Sequence, residues 1–209
     1  MDLLIRFQLI LDSDPLIDEV GFIHPSQFAT LNGGGRGTEE GDFWNEEHKL
    51  GISADVVLPL YRAAKGAFFT AFADYKMLGS VSGTGPDYSA VEEEVMKHSR
   101  AVLLLSCDFL TAWNSRKLIL SKKQCTSVFI DELHLSALVL SYSPKSEQAW
   151  CHRRWVIKTI AGRCSTVQEI VDKESALVEK IAERSKMNYR AWNHRCWLVS
   201  YMTWEQVVS

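Results

Sequence analysis

No apolar run in this 209-residue chain approaches the ~18 residues that a membrane-spanning helix needs. The opening Met1-Asp2-Leu3-Leu4-Ile5-Arg6-Phe7 lacks a basic region and a small-residue cleavage site, so no secretory signal is expected. Asp2 stands where myristoylation needs glycine, and no C-terminal Cys box follows, so the chain is not expected to carry a lipid itself. Cysteine is scarce and odd in number, with Cys107, Cys125, Cys151, Cys164 and Cys196 in no framework spacing. Free thiols in a cytoplasmic protein are the expectation. Neither glycine-rich stretch is a phosphate loop, because no Gly-Lys-Ser/Thr follows and no clear strand precedes. A metal set is lacking too: Cys151 and His152 are adjacent on a helix, diverge by roughly 100°, and cannot easily aim at one ion. The basic clusters His152-Arg153-Arg154 and Lys122-Lys123 are short and scattered, so solvated helix faces are expected and not a nucleic-acid surface.

What the chain has is tryptophan in register. Ala-Trp-x-x-Arg occurs as Ala112-Trp113-Asn114-Ser115-Arg116, Ala149-Trp150-Cys151-His152-Arg153 and Ala191-Trp192-Asn193-His194-Arg195, with the Trp residues 37 and 42 apart. A period of this size marks stacked helical hairpins. Five positions after each Trp stand Leu118, Trp155 and Trp197, then Ile119, Val156 and Leu198, then Leu120, Ile157 and Val199. Trp and the seventh residue after it share one side of a helix, while the fifth and sixth flank the other. A helix apolar on two faces must be covered from both, as in a solenoid. Trp113, Trp150 and Trp192 are therefore expected to be buried between hairpins, with Arg116, Trp155 and Trp197 completing the repeat core.

Each Trp helix has an apolar-periodic segment upstream: Tyr88 to Ser106, Val128 to Tyr142 and Thr166 to Lys186. Asp108 is the expected cap of the first Trp helix. In Ser143-Pro144-Lys145-Ser146, Pro stops one helix and Ser146 caps the next. The fold predicted is all-α, an alpha-alpha superhelix of antiparallel helical hairpins, in one domain over 1–209. Residues 88–204 would form three repeats. Residues 1–87 form a less regular helical region, with helices over Asp2 to Leu11 and Ala54 to Lys76, a Gly-rich loop at 32–42 and a second break at Gly79 to Pro86. The chain is 46% hydrophobic, enough for a sizeable core. Charge is uneven: residues 1–90 hold 6 Lys and Arg against 13 Asp and Glu, and residues 91–209 hold 17 against 13. The basic half would suit anionic ligands or acidic partners, and a solvated surface of mixed charge fits equally.

The unit resembles the protein prenyltransferase alpha-subunit repeat, whose core is Asn-Tyr-x-Ala-Trp-x-His-Arg followed by apolar residues. Asn188-Tyr189-Arg190-Ala191-Trp192-Asn193-His194-Arg195-Cys196-Trp197 matches nearly in full. The second copy keeps Ala149-Trp150-Cys151-His152-Arg153 without the Asn-Tyr, and the first has Ser115 for His. Pro15 to Ile23 and Cys107 to Leu120 are similar to the divergent, repeat-containing branch of that family. The resemblance implies an alpha-type subunit that pairs with a beta subunit to transfer a geranylgeranyl group to a cysteine near the C-terminus of a protein substrate, such as a small GTPase. It implies no cofactor on this chain and zinc on the beta subunit. It also implies further repeats beyond Trp204, so a truncated product or a partner covering the last hairpin is expected.

By the same resemblance, a Lys five positions before a repeat Trp reaches the isoprenoid diphosphate. Lys145 holds that place in the second copy, while the third has Met187, with Lys186 one residue early. Tyr189 offers a hydroxyl near the matching place. Lys145, His152, Arg153, Tyr189, His194 and Arg195 are the candidate contacts to diphosphate or beta subunit, structure and interface being put ahead of catalysis for the His-Arg pairs. No catalytic residue is assigned. A tetratricopeptide-like scaffold with no enzymatic partner is the alternative, although the period is not a steady ~34 residues.

Overall fold

The computed structural model describes residues 2–31, 41–81, 86–161 and 167–202. The Gly-rich loop (but for its last residues), residues 82–85 of the second break, Cys164 and Trp204 lie outside them. The chain divides into two compact units, 1–122 and 123–209.

The first unit opens with α1 (Leu3–Ser13), whose free N–H groups are capped by the Asp2 carboxylate at the amide of Leu4, 2.8 Å away. There follow β1 (Glu19–Ile23), α2 (Pro25–Leu31), β2 (Phe43–Glu46), β3 (Lys49–Ser53), the 28-residue α3 (Ala54–Val81), α4 (Pro86–Leu105) and α5 (Leu110–Leu120). The strands form a sheet in the order β1-β3-β2, with β1 parallel and β2 antiparallel to β3. This sheet departs from the purely helical reading of the N-terminal region. Its hairpin joins Glu46 to Lys49 through only Glu47 and His48, both at positive φ, 50° and 62°. A two-residue turn of this kind normally advertises itself with Asn-Gly or Asp-Gly. Here the His48 ring sits 3.0 Å from Asp14, and its carbonyl accepts from the amide of Asp18 at 2.9 Å, so tertiary bonds hold the turn.

β3 is buried from Leu50 through Ser53, and the core of this unit also holds Phe7, Leu60, Phe68, Val95, Val102 and Trp113. Helix α5 starts one residue later than expected, with Phe109 at its N-cap and no side-chain cap from it, so Asp108 is not the capping residue. Lys122 is exposed, and it also has partners. Its ammonium donates to the hydroxyls of Tyr75 (3.0 Å) and Tyr88 (2.7 Å) and lies over both rings, fastening the end of α5 to α3 and α4. That hydrogen bond holds the Tyr88 hydroxyl below the usual tyrosine range.

The second unit contains two antiparallel hairpins, α6 (Thr126–Tyr142) with α7 (Glu147–Ala161), and α8 (Val167–Arg184) with α9 (Tyr189–Leu198), ending in a 3-10 turn over Val199–Tyr201. Ser146 accepts from the amide of Ala149 at 3.3 Å, capping α7 as the sequence predicts. Nine helices and one small sheet among the described residues make the protein all-α in class, of the alpha-alpha repeat type.

Candidate functional site

The signature residues of the repeat converge in the interior of the second unit. Trp150 is fully buried, and its indole N–H donates to the carbonyl of Pro144, six residues before it, at 3.0 Å. Trp113 does the same to Cys107 at 2.8 Å within the first unit. The Pro144 carbonyl takes a second donor, the amide nitrogen of Asn188, at 2.8 Å. The Asn188 oxygen meanwhile caps α9 at the amide of Ala191. One buried Asn thus ends the α8–α9 turn and ties it to the turn of the preceding hairpin.

The His and Arg of the signature are bound to carboxylates that lie twenty residues before each His. His152 Nε2 donates to Glu132 at 2.8 Å, and His194 Nε2 donates to Glu174 at 2.8 Å. Arg153 reaches across from the previous hairpin to Glu174 with two nitrogens, Nε at 2.7 Å and Nη2. Its Nη1 donates to Ser136 at 2.9 Å and to the Leu133 carbonyl. Glu174 therefore bridges two successive hairpins, and all three side chains are buried. The equivalent Arg116 donates to the Met96 carbonyl at 2.6 Å and to Ser99 at 2.7 Å. By the same register the first copy has Val95 where the others have Glu, and Ser115 where they have His. Both are buried, and Ser115 bonds to the carbonyl of Ala112 instead. Carboxylate and imidazole are missing as a pair, so neither is buried without the other.

Burial pushes the Glu174 carboxyl up, but the charge and hydrogen bonds of Arg153, with His194, outweigh it and hold the group at about 2. Burial lowers His194, which stays neutral between the rings of Trp150 (4.8 Å) and Trp197 (5.5 Å). Both shifts favour the folded state only at higher pH. Glu174 would titrate near 4.5 when unfolded, so its contribution is complete above that value and lost as pH falls through about 2. His194 binds a proton in the unfolded chain below about 6.5 and resists it when folded, so its contribution also falls with pH. The second unit is expected to lose melting temperature from pH 6.5 downward, and Glu174→Gln should remove the part of that loss below pH 4.5. A profile of the variant parallel to wild type across pH 3–5 would contradict the assignment.

The candidate contacts accordingly separate. His152, Arg153 and His194 are enclosed and cannot touch a diphosphate or a partner in this fold, which corrects that part of the expectation. Arg195 is half-buried and donates to Ser175. Lys145 is exposed in the turn beside Pro144, and Tyr189 is 81% exposed beside Asn188, so the Asn188–Pro144 bond brings their two turns together. Met187 takes a left-handed φ of 54° and is 93% exposed. Nearby, Glu147 pairs with Arg190 and with Arg154 at 3.1 Å. Among the described residues no group of three or more His, Cys, Asp and Glu is placed to hold a metal.

Trp192 departs from the expected core: it is 56% exposed. Trp150 is sealed because α9 lays His194 over it, and no described element does this for Trp192. Trp155 and Trp197 are half-buried, each with its ring tilted against the His three residues before it. Glu132 and Glu174 were missed as functional positions. Their common twenty-residue distance from the repeat His was the available signal.

Residues 129–160 and 171–202 match the family described as protein prenyltransferase alpha subunit repeat. The copy carrying Val95 and Ser115 lies outside these matches. The chain is 35% identical over 127 residues to the protein prenyltransferase alpha subunit repeat-containing protein 1 of Homo sapiens, covering 53% of this chain and 31% of that protein. The Danio rerio protein of the same name is 34% identical, with 53% and 29% covered. The geranylgeranyl transferase type-2 subunit alpha of Saccharomyces cerevisiae is 27% identical over 125 residues, with 58% and 37% covered. The matches thus span about three-tenths of the repeat-containing relatives' own length. Residues 129–160 and 171–202 thus carry two protein prenyltransferase alpha subunit repeats, which hold the buried Arg–Glu–His bridge, and the chain is similar in this respect to the repeat-containing protein 1 relatives.

Proposed function

We propose that this chain acts as the alpha-type subunit of a heterodimeric protein prenyltransferase in the cytoplasm, supporting geranylgeranyl transfer to a cysteine near the C-terminus of a small GTPase or similar substrate. The observation that carries the reading is the pair of repeats, together with 27% identity over 125 residues to a named geranylgeranyl transferase alpha subunit. The His-Arg signature is consumed in holding hairpins together, so this chain supplies a platform. The zinc that activates the substrate thiol and most of the isoprenoid pocket would belong to the beta subunit. As the carbon–oxygen bond of the isoprenoid breaks, charge builds on the diphosphate, and a fixed cation in a dry site stabilises it. Lys145, exposed and held at a turn braced by Asn188, is the residue for that role, with the hydroxyl of Tyr189 beside the neighbouring turn. A scaffold without enzymatic partner would share the enclosed His-Arg pairs.

Reconstitution separates the two readings. Co-expression with a protein prenyltransferase beta subunit should yield a complex that transfers geranylgeranyl to a C-terminal cysteine substrate. Lys145→Ala is expected to slow single-turnover transfer by about tenfold, equivalent to ~1.4 kcal/mol of barrier, without changing subunit affinity. Absence of complex formation in calorimetry would favour the scaffold. An active complex indifferent to Lys145→Ala would leave the chain a platform only.

A further inference from the structure

One face of α3 is partly exposed and is unlike the rest of its unit. Leu58, Arg62, Lys65, Phe69, Phe72 and Lys76 recur at spacings of three and four, which places them on one stripe of the helix. The opposite face, Leu60, Ala64, Phe68, Ala71 and Tyr75, is in the core. Along the stripe Leu58 is 55% and Phe69 43% exposed, and Arg62 and Lys76 are exposed too. Phe109, at the head of α5, packs edge-on against Phe69 at 5.9 Å and widens the ledge.

The cations of this stripe are set on aromatic rings and not on carboxylates. Lys65 lies over Tyr61 (5.8 Å) and Phe109 (5.7 Å), and Lys76 lies over Phe72 at 4.3 Å. Elsewhere in the acidic first unit, Arg6 is paired with Asp42 at 2.7 Å and Lys49 with Glu19 at 3.5 Å. Arg62, Lys65 and Lys76 have no carboxylate partner among the described residues. Asp74 lies on the far side of α3, and Asp55 is at the helix N-terminus, beyond the end of the stripe.

We infer that this stripe is a docking surface for an acidic, leucine-bearing amphipathic helix of a partner protein. The apolar ridge of Leu58, Phe69 and Phe72 calls for apolar side chains, and the unpaired cations call for carboxylates on either side of them. Lys65 and Lys76 are about 16 Å apart along the axis at 1.5 Å per residue, so carboxylates about three turns apart on a partner helix would meet both. Charge decides between a local acidic partner and an extended anionic surface. Residues 1–90 hold 13 acidic against 6 basic residues, a balance that repels a membrane or nucleic acid while leaving this stripe positive.

The test uses the full chain and a fluorescein-labelled 20-residue helical peptide with Leu on one face and Glu flanking it. The control peptide has Gln for every Glu, and vesicles of 30% phosphatidylserine in phosphatidylcholine form a third arm. The Glu peptide should bind more tightly than the Gln peptide and weaken with salt. Lys65→Gln with Lys76→Gln, and separately Phe69→Ala, should each weaken it tenfold or more, in variants that thermal melts show to be folded at the assay temperature. Equal binding by wild type and variants, or no peptide binding, would overturn the assignment. Vesicle binding that depends on the same residues, without peptide binding, would overturn it in favour of a membrane surface.

Discussion

Trp150→Ala is expected to destabilise the second unit by about 3–5 kcal/mol, the range found for large buried aromatics. Trp150 is fully buried, donates its indole N–H to Pro144, and carries the ring of His194 on its face. Alanine removes the contact surface and leaves the Pro144 carbonyl with Asn188 as its partner. Total stability of a domain is commonly about 5–15 kcal/mol, so such a loss leaves little margin. Trp192→Ala is the internal control: the same residue in the same motif, but 56% exposed, should cost on the order of 1 kcal/mol or less. Urea unfolding followed by circular dichroism measures both. Equal losses for the two variants would contradict the packing described for α7 and α9.

The second large effect falls on the bridge between hairpins. Glu174→Ala is expected to cost about 3–5 kcal/mol, because the buried guanidinium of Arg153 loses its counter-ion. His194 loses its acceptor in the same substitution. The network as a whole need not be stabilising against an apolar replacement, since two charges must leave water to form it. Arg153→Met combined with Glu174→Leu should therefore recover much of what Glu174→Ala loses. The first copy already shows a related solution, with Val95 and Ser115 in place of Glu and His. If the double variant is as unstable as the sum of its single substitutions, the bridge is not the coupled unit described here.

Both predictions rest on residues whose importance differs in visibility. Trp, His and Arg announce themselves by repeating at fixed offsets, and that periodicity places the Trp helices and their partners to within a few residues. Glu132 and Glu174 are single carboxylates on otherwise ordinary helices, and only the pairing of helices shows what they neutralise. The β2–β3 hairpin was illegible for a different reason. Its turn is Glu47-His48, residues with no intrinsic preference for positive φ strong enough to signal it, and contacts to Asp14 and Asp18 hold it in place.

Sequence alone determined the helical-repeat class, the two matched hairpins and the apolar character of the Trp helices, because each follows from a local period that any folded form must respect. Tertiary structure decided the rest. Trp150 and Trp192 share one motif, and among the described residues only Trp150 has a following helix laid over it, which makes one core and leaves the other 56% exposed. His152, Arg153 and His194 read as candidate ligand contacts until the packed hairpins placed buried carboxylates against them. Burial and partnership belong to neighbours distant in sequence, and those are chosen only when the chain folds.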